Sequence, residues 1–255
     1  MQTISALIIT SNEEQNITDC LNSIGWVDEI VIIDSYSIDR TVDICQKYTN
    51  KIYKRKFDDF ASQRNYGLQQ VHSEWVLIID ADERVSSELK LEIKKVLTAP
   101  QADAYEIPFH NYFLGKWIRH CGWYPDYHLR LFLTTKGQFI NKVHEKVQIN
   151  GTTNKLSKAI VHFTYNSISQ FIKKTDYYTN LAAKEMYLRG KSFRITDLIA
   201  RPIWRFCKMY LFKHGYKDGV RGLILSFLYS VYVFLKYAKL WDINRKEVDK
   251  NVVEI

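Results

Sequence analysis

At 255 residues the chain fits one large α/β domain, or one domain with an appendage. Its 46% apolar and 14% aromatic content excludes a disordered chain, and there is no low-complexity segment or internal repeat. The net charge of +8 is uneven: residues 166–255 hold 17 Lys/Arg against 8 Asp/Glu, so the excess belongs to the C-terminal third and points to a polyanionic partner such as nucleic acid, an anionic membrane or a phosphorylated acceptor.

Cys20, Cys45, Cys121 and Cys207 lie far apart without a Cys-x-x-Cys pair. They read as reduced, mostly buried thiols of a cytosolic chain, not as a disulfide frame or a zinc site. The N-terminus lacks a basic region and a cleavage site, so it reads directly as a first strand.

Ser5–Thr10 is the expected first strand. Asn12 is the expected cap of a helix whose inner face is Ile17, Cys20, Leu21 and Ile24. Val31–Asp34 is the second strand. Asp39 caps a helix with Val42, Cys45 and Tyr48 inward, and Lys51–Lys54 is a short third strand. Residues 59–71 have a helical pattern, with Phe60, Arg64 and Leu68 on one face. The apolar run Val76–Ile79 is a strand buried on both faces, and Ser86 or Ser87 caps a helix with Leu89, Ile93, Val96 and Leu97 inward. Four strand–helix alternations in about 100 residues predict a parallel sheet with right-handed crossovers.

Beyond Pro100 the strands Tyr105–Phe109, Tyr127–Leu133 and Lys158–Thr164 suit a mixed or antiparallel extension. Helices follow at roughly 167–189, 196–213 and 219–240, with Pro202 kinking or beginning one of them.

Chemistry concentrates where strands end. Asp80 and Asp82 follow a buried strand at i and i+2, so their side chains can converge at the carboxyl edge where open α/β sheets bind ligands. Taken alone, such a pair also suits an acidic turn leading into a helix cap. Glu13 and Asp34 at the same edge favour a nucleotide site, because a carboxylate accepts hydrogen bonds from ribose hydroxyls and base N–H groups. The chain has no G-x-G-x-x-G and no G-x-x-x-x-G-K-[ST]. Phosphates must then be neutralised otherwise, and a divalent ion on Asp82 would do so.

Four early segments resemble family 2 glycosyltransferases of the GT-A fold: Ile8–Glu13, Ile33–Thr41, Gln63–Asn65 and Ile79–Arg84. Later segments resemble the branch of bacterial lipopolysaccharide inner-core β-glucosyltransferases. They are Trp123–Asp126 with Arg130–Phe132, Val143–Glu145, His162–Tyr165 and Phe234–Trp241. The resemblance covers residues 3–241. It implies an α/β, GT-A, mostly parallel sheet with a helical C-terminal extension, divided as a catalytic domain (1–165) and a basic, membrane- or oligomer-associated extension (166–255).

Carried over by position, the resemblance implies that Thr10, Asn12, Glu13, Asp34 and Arg64 line the nucleoside pocket. Asp80 would touch the ribose, or the metal through water. Asp82 and His162 would hold Mn²⁺ or Mg²⁺ on the diphosphate of a UDP-hexose, and Gly122 would lie in a loop beside the donor sugar. The usual catalytic motif ends in Glu-Asp, but here the place reads His144-Glu145, which makes Glu145 the candidate base and Asp126 its reserve. One base and one Lewis acid suffice for inverting transfer.

Gly222–Leu235 is an uncharged run of 14 residues, short of the ~20 that span a bilayer. With flanking Arg221, Lys236 and Lys239 it suits a helix lying on an anionic membrane, or one packed on the protein or in a homo-oligomer interface. No nucleic-acid motif accompanies the charge.

The expected activity is inverting transfer of a hexose, glucose from UDP-glucose first, to a lipopolysaccharide core acceptor. The chain would act in the cytoplasm, peripherally on the inner membrane. The alternative acceptors are polyprenyl phosphate, disfavoured by the lack of a full span, and a peptide side chain. A nucleotidyltransferase would need a glycine-rich basic loop after the first strand, and Thr10–Glu13 is acidic. A non-catalytic membrane-surface scaffold is the remaining alternative.

Overall fold

The computed structural model describes residues 2–140 and 146–253, with side chains to Lys246. The candidate base Glu145 lies outside the described residues. Two compact units are present: Met1–His110 with Asp126–Phe163, and Asn111–Pro125 with Thr164–Ile255.

The first unit is built on apolar runs that become strands. β1 (Ile4–Thr10), β2 (Glu29–Asp34), β3 (Ile52–Lys54) and β4 (Trp75–Ile78) pair in parallel in the order β3-β2-β1-β4. Between them run α1 (Ile17–Ile24), α2 (Thr41–Cys45) and α3 (Phe60–Leu68). Alternation along each strand feeds two cores. Ala6, Ile8, Ile32 and Leu77 meet Cys20 and Leu21 of α1, whereas Leu7, Ile33, Val76 and Ile78 meet Ala61 of α3.

β5 (Glu83–Val85) and α4 (Ser87–Thr98) come next, and the Ser86 hydroxyl caps α4 by accepting from the Leu89 N–H at 3.1 Å. The remaining strands are β6 (Ala104–Phe113), β7 (Lys116–Trp117), β8 (Tyr127–Leu133), β9 (Gly137–Ile140), β10 (Lys146–Ile149), β11 (Thr153–Lys155) and β12 (Ile160–Tyr165). The sheet continues β4-β8-β6-β12-β5, with β8 antiparallel to β4 and to β6, and β12 antiparallel to β5. β9 and β10 form a separate antiparallel pair. This is the α/β class expected from the sequence, a parallel core with a mixed extension and a helical C-terminal region.

Local differences have physical causes. Asn12 does not cap α1: it sits in the loop at φ +56°, and Asn16 holds the cap position. The buried face of α3 is Ala61, Gln63, Arg64 and Gly67, while Phe60 is exposed. Gly67 sets that face, because a Cβ there would lie 2.5 Å from Leu7 Cδ1 and 3.1 Å from Ile33 Cγ1. Gly67→Ala is therefore expected to destabilise the chain by roughly 1–2 kcal/mol, overpacking outweighing the gain in helix propensity. A denaturant midpoint that rises in the variant would contradict this packing.

At the other end of the sheet, Glu29 opens β2 with its carboxylate almost fully covered. It accepts from the Ser5 hydroxyl, the Lys51 ammonium and the His72 N–H. Burial raises its pKa, but these donors outweigh it and bring the carboxyl down to about 2. A lowered folded-state pKa stabilises above the unfolded value of 4.5 and is lost as pH falls toward 2. Glu29→Gln should therefore lose on the order of 2–3 kcal/mol at neutral pH and flatten the stability curve between those two pH values. An unchanged curve in urea titrations across that window would refute the assignment.

The second unit is mostly helical: α5 (Ile168–Leu188), α6 (Ile195–Cys207) and α7 (Val220–Val253). Pro202 lies inside α6, which passes into a π-helical turn, Lys208–Phe212, and then a 3-10 turn, Gly215–Asp218. Phe113, Ile118, Cys121, Met209 and Leu225 form its core. Gly222 is fixed by close approach, since a Cβ there would meet Gly215 O at 1.9 Å. Gly122, in the loop that resembles the donor-sugar loop, also belongs to this unit and has φ +79°. α7 exceeds the expected helix, and its stretch Val220–Lys246 is long and apolar enough to cross a membrane by length and composition. The 14-residue run understated its apolar length. Cys20, Cys45 and Cys121 are buried and all four thiols are free, as expected.

Candidate active site

The parallel register brings the early candidates to one edge. Thr10 ends β1 directly beside Asp34 at the end of β2. Thr10 is buried, and its Oγ1 has no hydrogen-bond partner among the described residues. Asn12 ties the two loops together: its N–H donates to Ser37 Oγ and its Oδ1 accepts from the Ile38 N–H, both at 2.9 Å. Its left-handed backbone makes both contacts possible. The Glu13 N–H donates to Thr41 Oγ1 at 2.8 Å, and its carboxylate accepts from Asn16 Nδ2 at 2.7 Å. Asp34 is fully buried and accepts from the Ser37 N–H at 3.0 Å, so it fixes the β2 loop. This edge is therefore pre-organised by its own polar groups.

Beyond β4 the chain makes a tight turn that separates the two aspartates. Asp80 is gripped on both oxygens: Arg64 Nη2 donates to Oδ1 at 2.8 Å and Arg130 Nη2 to Oδ2 at 3.0 Å. Burial works against its charge, but the two guanidinium groups hold its carboxyl well below the usual carboxylate range. Arg130 Nη2 also donates to Glu83 Oε1 at 2.6 Å, and Glu83 Oε2 accepts from the Asp80 N–H at 2.9 Å. Burial of Glu83, against the pull of Arg130 and together with the Asp80 and Asp82 charges, pushes its carboxyl up to about 7.

Asp82 points elsewhere. Its Oδ2 faces His162 Nε2 at 3.5 Å, and both side chains keep about a fifth of their surface exposed. Backbone pairing fixes this meeting: His162 opposes Glu83 across β12 and β5, and the Phe163 N–H donates to Asp82 O at 3.0 Å. Burial disfavours the charged imidazole, but the Asp82 hydrogen bond and the charges of Asp82, Glu83 and Asp80 outweigh it and raise the His162 pKa. A metal ligand must be the neutral imidazole, so a proton and a metal ion would compete for His162. No cluster of three or more His, Cys, Asp or Glu that could hold a metal occurs among the described residues. Two accessible ligands of the right type do fit a hard divalent ion whose remaining positions are filled by phosphate oxygens and water.

The reserve base Asp126 lies just before β8, with its Oδ2 3.0 Å from His128 Nε2.

Two members of the site were not assigned from the sequence. Glu83 and Arg130 enter there only within the segments Ile79–Arg84 and Arg130–Phe132; the structure commits both to Asp80. The legible signal was Arg130 itself, a charge inside the apolar strand Leu129–Leu133, where a buried partner is required. Arg84, also unassigned, donates from Nη1 to the carbonyls of Ala81 and Glu83 and from Nη2 to that of Asn16, each at 2.8 Å, and so locks the turn.

Residues 5–156 match the family model Glycosyl transferase family 2. The Lipopolysaccharide core biosynthesis glycosyltransferase LpsC of Rhizobium meliloti is 30% identical, over 98% of this chain and 96% of LpsC. An uncharacterized glycosyltransferase of Rickettsia typhi is 28% identical, over 99% of this chain and 91% of its own length. Among solved structures, S. aureus TarS 1–349 in complex with UDP aligns with 96% of this chain and 92% of its own, at 16% identity and a TM-score of 0.49. A family match over more than half of the sequence, with a relative matched almost end to end, makes this chain a glycosyltransferase and a member of glycosyl transferase family 2.

Proposed function

We propose that the chain transfers a hexose, with inversion, from a UDP-hexose to a lipid-linked acceptor, UDP-glucose and a lipopolysaccharide core saccharide being the first candidates. The observation that carries this reading is the division of labour after β4: Asp80 is held by two arginines, while Asp82 faces His162 with both side chains accessible. The similarity to LpsC, a lipopolysaccharide core biosynthesis glycosyltransferase, supports the acceptor class.

In this reading Thr10, Asn12, Glu13, Asp34 and Arg64 hold the uridine, and Asp80 presents its carboxylate toward the ribose. Asp82 and His162 would hold Mn²⁺ or Mg²⁺, which when bound supplies Lewis-acid stabilisation of the leaving diphosphate. A carboxylate, Glu145 first and Asp126 second, takes the proton of the acceptor hydroxyl. That oxygen attacks the anomeric carbon from the side opposite the diphosphate, whose C–O bond breaks. The first unit is the catalytic one. The helical residues 166–255 serve the lipid-linked acceptor at the cytoplasmic face of the membrane.

Hydrolysis and transfer measured across uridine, guanosine, adenosine and thymidine diphosphate sugars test the donor. The expected result is turnover of a uridine donor only. Turnover of none of the uridine donors, or a guanosine sugar as the best donor, would overturn it.

A further inference from the structure

The second unit carries a surface that its fold leaves uncovered. α6 and α7 pack antiparallel: Ser230 Oγ donates to Pro202 O at 2.9 Å, and Arg205 and Arg201 lie over the rings of Tyr229 and Tyr237 at 5.0 and 5.2 Å. The tip of this hairpin, Lys208–Gly219, is a π turn followed by a 3-10 turn. Apolar side chains point outward at the tip and on both helices beside it. Trp204 and Phe212 are 59% and 62% exposed with ring centroids 5.5 Å apart, and Ile203, Leu211, Leu223 and Phe227 are exposed with them. Burial would be the default for such residues, and several left exposed on one hairpin mark an interaction surface.

The charge around the patch selects that partner. Residues 198–241 contain eight Lys/Arg and one acidic residue, Asp218. Asp218 is buried and accepts from the N–H groups of Arg119 and His120 at 3.2 and 2.8 Å, so it does not offset the surface charge. Lys208, Lys213 and Lys217 are exposed among the apolar groups and make no ion pair among the described residues. Aromatic and branched side chains flanked by unpaired lysines match the boundary of an anionic bilayer, where the rings enter the headgroup region and the ammonium groups meet phosphates.

The inner face of α7 argues against a transmembrane position. Lys239 Nζ donates to Asp176 Oδ1 and Thr179 Oγ1 of α5, both at 2.8 Å, and α5 carries further charges at Lys173, Lys174, Lys184 and Glu185. One side of the hairpin is protein-packed and polar, and the other is apolar and basic.

We propose that the α6–α7 hairpin docks on an anionic lipid surface through Trp204, Phe212 and their apolar neighbours, with Lys208, Lys213 and Lys217 engaging lipid phosphates. The inference goes beyond the proposed reaction and is read without it.

Co-sedimentation of the full chain with phosphatidylcholine–phosphatidylglycerol vesicles and with phosphatidylcholine vesicles tests it. Wild type is expected to pellet with the anionic vesicles, and less so as salt rises. Trp204→Ser with Phe212→Ser is expected to lower binding about tenfold or more. Lys208→Glu, Lys213→Glu and Lys217→Glu together remove the preference for anionic lipid. Circular dichroism, measured on the same variants, should be unchanged. Wild type left in the supernatant with both vesicles, or variants that bind as wild type does, would overturn the proposal. So would a lipid-free dimer in sedimentation velocity that Trp204→Ser with Phe212→Ser converts to monomer, which would make a second copy the occupant.

Discussion

Asp82→Asn is expected to abolish transfer while leaving the fold in place. The loss in kcat/KM should be on the order of 10³-fold, the size seen when a group that stabilises charge on a leaving oxygen is removed. Asp82 is partly exposed and its ion-pair partner is His162, so its removal should change stability by less than about 1 kcal/mol. His162→Ala should follow the same pattern more weakly: a higher Mn²⁺ concentration at half-maximal rate, with the unfolding midpoint nearly retained. Rates in a metal titration and midpoints in denaturant separate the two effects. A His162→Ala variant that unfolds while keeping its metal requirement would show a core histidine and not a ligand.

Arg130→Met is expected to act in the opposite way, on the fold first. The guanidinium is about nine-tenths buried and donates to Asp80 and Glu83 from one nitrogen. Removing it leaves the buried Glu83 carboxyl without its cation and Asp80 with Arg64 alone, and should cost roughly 3–5 kcal/mol, the range for breaking a buried pair from one side. Adding Glu83→Gln to Arg130→Met removes one of the stranded charges, so the double variant should be more stable than the sum of the single effects requires. Urea unfolding of the four proteins checks this. Strict additivity would mean that the two side chains do not share the network drawn here.

The parts of the fold that were legible are those in which one rule dominates. β1, β2 and β4 are apolar runs buried on both faces, and α4 carries its serine cap and its spaced Leu89, Ile93 and Leu97. β9, β10 and β11 were not legible, because they are short and largely exposed, so neither periodicity nor apolar content marks them. α3 misled for a related reason: its buried face is made of Ala61, Gln63, Arg64 and Gly67, selected by close packing and polar contacts and not by size.

The site divides in the same way. Glu13, Asp34, Asp80 and Asp82 were candidates because strand ends announce themselves in sequence, and Thr10 and Asn12 through the family resemblance. The arginines that hold Asp80 could not be paired with it from sequence, because they lie 16 and 50 residues away and only the folded sheet brings Arg64 and Arg130 to its two oxygens. The same holds for Glu83, whose neighbour on β12, His162, is fixed by strand pairing.

The most direct test of the central claim is a calorimetric titration of the full chain with UDP, in Mn²⁺ and again in chelator. The account predicts saturable binding in Mn²⁺ that is lost in chelator and lost in Asp82→Asn. UDP binding of equal strength in chelator and in Mn²⁺, or no binding under either condition, would contradict a metal-assisted uridine diphosphate site on Asp82 and His162.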